Sequence, residues 1–181
     1  MIETTLFAKT MVILCSQLSI VFGLTFYVMK KSKEAYFNNT TFLGISFRGA
    51  MNLKQEFDLI IVAGGITTSA EQNEGLLEFL VNSKARGTIV ASICTGAFIL
   101  AEAGLLGKNR VTTHWEDQKE LQDRFPSLAV IPNQRWVESE GIFTSGGISA
   151  GMDLSLHLVE VLSDRALALR TAKQMEYNWN Q

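Results

Sequence analysis

Cysteine and histidine are scarce in this chain of 181 residues: two of the first, Cys15 and Cys94, and two of the second, His114 and His157. Two cysteines make a poor disulfide framework and lack metal-ligand spacing. A reducing, cytoplasmic setting fits that usage best. Two histidines argue against a multi-histidine metal centre, so neither metal nor cofactor is expected. Proline is nearly absent, with two residues, and no repeat, low-complexity tract or linker is visible. Charge is modest: 19% of residues are charged and the formal net charge is −2. With no basic patch, direct nucleic-acid binding is not expected. Gly64-Gly65 lacks the G-x-G-x-x-G spacing of a dinucleotide site and has no phosphate-cradling lysine nearby.

What is present is a globular composition, 47% hydrophobic, long enough for one domain with a full core over 1–181. Met11 to Met29 carries no charge and approaches the length of a membrane span. Ser16, Gln17, Ser19, Gly23 and Thr25 interrupt it, and lysines flank both ends, unlike a signal peptide. The preferred reading is a buried helix running into a buried strand, and no membrane association is expected. Leu24 to Met29, Phe57 to Ala63 and Thr88 to Ile93 read as buried parallel strands. Leu76, Leu77, Phe79 and Leu80 predict a helix from about Ser69 to Arg86. Leu154, Leu158, Val161 and Leu162 predict another from about Ala150 to Ser163, after which Asp164 caps a last helix to about Tyr177. Glu140-Gly141, between Trp136 to Ser139 and Ile142 to Ser145, signals a hairpin. The alternation predicts an α/β, flavodoxin-like doubly wound fold, a mostly parallel sheet with helices on both faces. Such folds place their site outside the carboxyl ends of the strands.

The amino terminus reads as short. Phe7, Met11, Leu14 and Leu18 have helical spacing, which favours a helix over Glu3 to Leu18. The alternative makes Met11 to Leu14 the first strand and leaves about ten residues before Leu24, barely enough for a parallel crossover.

The chemistry centres on Thr88-Ile-Val-Ala-Ser-Ile-Cys94-Thr95-Gly96-Ala97. A β-branched run stops at a cysteine, small residues follow, and a helical pattern continues to Gly104. Strand, sharp turn and helix form a nucleophile elbow. Free N–H groups and the positive end of the helix favour thiolate there. Cys15 reads as core. His114 is either a general base for Cys94 or a histidine that merely packs nearby. His157, inside a helical run, reads as structural. Thr95 either lines a pocket or suits a tight turn. Trp115 either walls the pocket or covers the core. Ser145, Gly146 and Gly147 form a turn that could close one side of the site. Asp153 reads as a carboxylate complementing the dipole of its helix.

From about Phe57 onward the chain resembles the ThiJ/PfpI superfamily, single-domain relatives of class I glutamine amidotransferases. The resemblance is carried in order by Asp58-Leu-Ile-Ile-Val-Ala-Gly64-Gly65, by the Cys94 elbow, by Ala103-Gly104-Leu105-Leu106-Gly107, by Val111-Thr-Thr-His114-Trp115, and by Thr144-Ser-Gly-Gly147-Ile-Ser-Ala-Gly151-Met-Asp153. Lys30 to Phe47 is similar to the family's second strand and following hairpin. The Cys-Thr-Gly and Thr-His-Trp pairing is most similar to isonitrile hydratase-like enzymes and to the sensor domain of AraC-type transcription regulators. The resemblance implies a reactive cysteine at Cys94, an oxyanion pocket formed by the backbone N–H groups of Gly65 and Thr95, a small-molecule substrate or ligand, and a homodimer.

Enzymes of this family place an acidic residue near the end of the first strand, close to the sulfur. If Glu3 to Leu18 is a helix, that strand is missing. If Met11 to Leu14 is the strand, Ser19 or Ile20 falls near the acid position, and neither can hold a proton there. The leading expectation is a cysteine-dependent enzyme acting on a small carbon–nitrogen substrate, as in hydration of an isonitrile to an N-substituted formamide, or an amidase-like hydrolysis. The alternatives are a non-catalytic sensing domain, which in a complete regulator would be followed by a DNA-reading helix-turn-helix, and a cysteine redox sensor or stress protein.

Overall fold

A computed structural model describes residues 57–180, together with the backbone of three short strands before them. Those strands are β1 (Thr10–Ile13), β2 (Thr40–Phe42) and β3 (Ile45–Phe47). β4 (Leu59–Val62), α1 (Thr68–Glu71), α2 (Glu74–Ala85), β5 (Ile89–Ile93) and α3 (Gly96–Glu102) follow. Then come β6 (Arg110–Val111), α4 (Gln118–Arg124), β7 (Ala129–Val130), β8 (Trp136–Ser139), β9 (Ile142–Ser145), α5 (Ser149–Leu162) and α6 (Arg165–Gln174).

The main sheet runs β1-β4-β5-β9-β8. Its first four strands are parallel, and β8 returns antiparallel on β9. The central strands β4 and β5 are buried on both faces because both faces are covered. Ile60, Val62, Val90 and Ile142 point into a core with Leu76, Phe79 and Leu80 of α2, residues 97–100 of α3 and Leu121 of α4. Their neighbours Leu59, Ile61, Ala91, Ile93 and Phe143 point the other way, against Leu154 and Leu158 of α5. The period-two alternation therefore divides one sheet between two helical layers, the doubly wound arrangement expected from the sequence.

Two readings of the sequence are corrected. Residues 10–13 form a strand rather than part of a helix, pairing in parallel with β4 from Thr10 opposite Leu59 to Ile13 opposite Val62. The four-residue stretch suits both periods, and the open side of β4 decides between them. The helix expected over 69–86 is two helices, because Asn73 turns the chain and its side chain accepts a bond from Leu76 N–H at 3.0 Å. The β8–β9 hairpin, the helix at 149–162 and the Asp164 cap stand where the sequence places them. β2 and β3 pair as an antiparallel hairpin. The strand expected at Leu24 to Met29, and Cys15, Ser19 and Ile20, lie outside the described residues. Among the described residues no helix is long and apolar enough to cross a membrane.

Candidate functional site

β5 ends at Ile93 and the chain turns on Cys94, whose φ of 57° lies in the left-handed region that a side chain disfavours. Three segments hold the turn. Cys94 N–H is shared between the carbonyls of Ser145 at 3.1 Å and Gly146 at 3.2 Å. The Thr113 hydroxyl donates to the Cys94 carbonyl at 2.8 Å. Gly64 and Gly96 let the β4 turn close on the elbow. A Cβ at Gly64 would lie 2.8 Å from the Cys94 Cβ and 2.6 Å from Thr95 N. One at Gly96 would lie 2.2 Å from the Val62 carbonyl oxygen. A strained strand-to-helix elbow at the carboxyl end of a central strand is thus built by its neighbours, with the strain fixed by surrounding bonds.

Cys94 is a free, partly exposed cysteine. Its thiol is pushed above the ordinary range, first by burial and then by the negative charge of Asp117, against opposing hydrogen bonds from Thr95. Desolvation thus works against the thiolate that the helix end and the Thr95 hydrogen bonds favour.

Beside the elbow lies a cavity of about 540 Å³. Gly65, Thr95 and Phe98 line it, as do four carboxylates (Glu71, Glu102, Asp117, Glu120) and one guanidinium, Arg124. The Arg124 side chain is held by Glu71 and Glu102, each at 2.6 Å, and by Glu120 at 3.4 Å, with its guanidinium 4.9 Å from the centre of the Phe98 ring. Glu71 also accepts from the Thr67 hydroxyl. Arg124 therefore works as a clamp between α1, α3 and α4.

The sequence-derived candidates distribute unevenly around this cavity. Thr95 does line it, and its hydroxyl accepts from Gly65 N–H at 2.8 Å while donating to the Gly65 carbonyl at 2.9 Å. The donor expected to serve an oxyanion is thus bonded within the chain. Gly146 holds the elbow through its carbonyl. Gly147 makes room for His114, since a Cβ there would lie 2.5 Å from the imidazole Cδ2. His114 turns its Nδ1 toward Asp117 at 3.4 Å and Glu116 at 3.6 Å. Trp115 neither covers the core nor joins the residues lining the cavity: it is 73% exposed and tilted against the His114 ring at 5.8 Å. His157 packs between Trp136 and Phe143, as a structural residue does. Asp153 is not a surface complement to its helix. It is fully buried and pairs with Arg135. Among the described residues no group of three or more His, Cys, Asp or Glu is arranged to hold a metal ion.

Asp117, like Glu71, Glu102, Glu120 and Arg124, is a cavity residue that the sequence did not single out. It follows Thr-Thr-His-Trp in a run of charged residues that reads as a solvated helix start.

The DJ-1/PfpI family pattern matches residues 30–161. This chain belongs to the DJ-1/PfpI family. It is 38% identical over 122 residues to the isonitrile hydratase of Pseudomonas putida, covering 66% of this chain and 52% of that one. It is 30% identical over 132 residues to the HTH-type transcriptional regulator CdhR of Pseudomonas aeruginosa, covering 73% and 39%. The chain thus spans about half the length, or less, of these curated relatives. The fold is similar to that of Drosophila melanogaster DJ-1beta, with a TM-score of 0.80 at 14% identity over 95% of this chain and all of the other.

Proposed function

We propose that this protein is a cysteine-dependent enzyme acting on a small carbon–nitrogen substrate, with hydration of an isonitrile to an N-substituted formamide as its reaction. One observation carries the reading: Cys94 is held at φ 57° at a strand end, its turn bordering a cavity sized for a small molecule. Strained backbone of this kind clusters at active sites and ligand clamps, and here it coincides with a cysteine whose turn borders a cavity. The 38% identity to an isonitrile hydratase supports this choice of substrate. The cavity wall, four carboxylates to one clamped guanidinium, suits a neutral or cationic ligand over an anion. Cys94 serves as nucleophile, and Thr95 and Gly65 supply donors once the Thr95 hydroxyl yields its bond to a ligand oxygen. We place the protein in the cytoplasm as a homodimer.

The test is incubation with a simple alkyl isonitrile between pH 5 and 9, with formamide followed by chromatography and Cys94→Ala as control. Formamide from the wild type and none from the variant is the expected result. No formamide at any of these pH values overturns the reading.

A second reading, ligand sensing without chemistry, draws support from the raised thiol and from the similarity to an HTH-type transcriptional regulator. It predicts that cavity ligands raise the melting temperature equally in wild type and Cys94→Ala, and that neither turns substrate over.

A further inference from the structure

We propose that Asp117 is the proton-carrying group of this site, exchanging a proton between the Cys94 thiol and the substrate. The proposal rests on the cysteine-dependent reading above.

Placement is the first argument. The turn between β6 and α4 is tied to the elbow by the Thr113 hydroxyl on the Cys94 carbonyl. It closes on itself through Asp117 N–H donating to the His114 carbonyl at 3.0 Å. Gln118 Nε2 lies 3.4 Å from both the Thr112 hydroxyl and the Thr113 carbonyl. This turn sets Asp117 in the cavity wall with Gly65 and Thr95.

The second argument is what Asp117 does not do. It occupies the N-cap position of α4, where an aspartate ordinarily accepts a bond from the second or third amide of its helix. Asp117, whose backbone is helical at φ −97° and ψ −3° rather than extended, makes no such side-chain bond, which leaves its carboxylate to other partners. Asn73 and Asp164, at the same position of α2 and α6, both do. The Asp117 carboxylate turns instead to His114, at 3.4 Å, and into the cavity.

The third argument is electrostatic. Cys94, His114, Glu116 and Glu120 all act on or are felt by Asp117, and Glu71, Glu102 and Arg124 share its cavity. Burial, more than His114 can offset, pushes the Asp117 carboxyl above its ordinary value. Desolvation disfavours the Cys94 thiolate, so attack by sulfur gains from a neighbouring base, and a carboxyl group with a raised pKa is a better one than an ordinary carboxylate. In the first step the thiol proton passes to the Asp117 carboxylate as sulfur bonds to the isonitrile carbon. Asp117 then returns that proton to the same carbon, giving a thioimidate. Water adds across the C=N bond, its oxygen to carbon and one proton to nitrogen. The C–S bond then breaks and the remaining hydroxyl proton returns to sulfur. The sum is isonitrile plus water giving formamide, with the thiol regenerated.

The experiment measures iodoacetamide alkylation of the Cys94 peptide by mass spectrometry as a function of pH, in wild type, Asp117→Asn and Asp117→Glu. Removing the charge should lower the thiol midpoint by about half a pH unit or more, and Asp117→Glu should restore it. Isonitrile turnover should fall at least about tenfold in Asp117→Asn with KM little changed, a size ordinary for general acid–base catalysis, and recover in part in Asp117→Glu. An unmoved midpoint in Asp117→Asn overturns the role of Asp117 while leaving the enzyme reading intact. Absence of turnover in the wild type, with the midpoint shifted as expected, overturns the enzyme reading and the proton-transfer step with it.

Discussion

At the scale of single residues, closeness around the elbow sets the tolerance to change. Gly96 has no room for a methyl group, because its Cβ would lie 2.2 Å from a backbone carbonyl that cannot swing away. Gly96→Ala should lose about 3 kcal/mol of stability in urea unfolding, at the upper end of ordinary overpacking. Cys94 was legible because a β-branched run meeting a cysteine and small residues has few other readings. The burial that raises its pKa was not, since a sequence displays the helix end but not the desolvation acting against it. Asp117 was hidden for a related reason. Only the closed turn at 114–117 separates a cavity-facing carboxylate from the acidic helix starts found on any surface.

Elements differ in how they are secured. Asp164 accepts from Leu167 N–H at 2.7 Å and so caps α6, whereas Asp117 leaves the amides of α4 without its carboxylate. Asp164→Ala should therefore cost about 1 kcal/mol, the usual value of a lost N-cap. Asp117→Ala should cost clearly less, and thermal or urea unfolding of the two variants side by side reads the contrast. The strands at 59–62 and 89–93 and the helix at 149–162 were legible because long apolar periods leave little choice. β1 was not: residues 10–13 fit either a helical or an extended period, and its pairing with β4 is information held fifty residues away. The break at Asn73 was hidden because the apolar residues that define the helix, Leu76, Leu77, Phe79 and Leu80, all lie after it and leave its start undetermined.

Across the whole molecule, one buried carboxylate latches the end of the described chain to the sheet-covering helix. Asp153 pairs with Arg135, accepts from Tyr177 Oη and Asn180 N–H, both at 3.0 Å, and offers its carbonyl to Trp179 Nε1 at 3.1 Å. Asp153→Ala should lower global stability by about 2–4 kcal/mol, because several partners lose a buried acceptor at once. Tryptophan fluorescence should report loosening at Trp179 in the folded state of this variant.

The ties at Cys94 carry a consequence of their own. Of the bonds on its amide and carbonyl, that from Ala97 N–H at 3.3 Å is local, while those with Ser145, Gly146 and Thr113 join it to residues far along the chain. No isolated stretch can rehearse that conformation. A nascent copy consequently presents an ordinary sulfhydryl on a slack backbone, and the strained turn at Cys94 is complete only when the last distant contact closes.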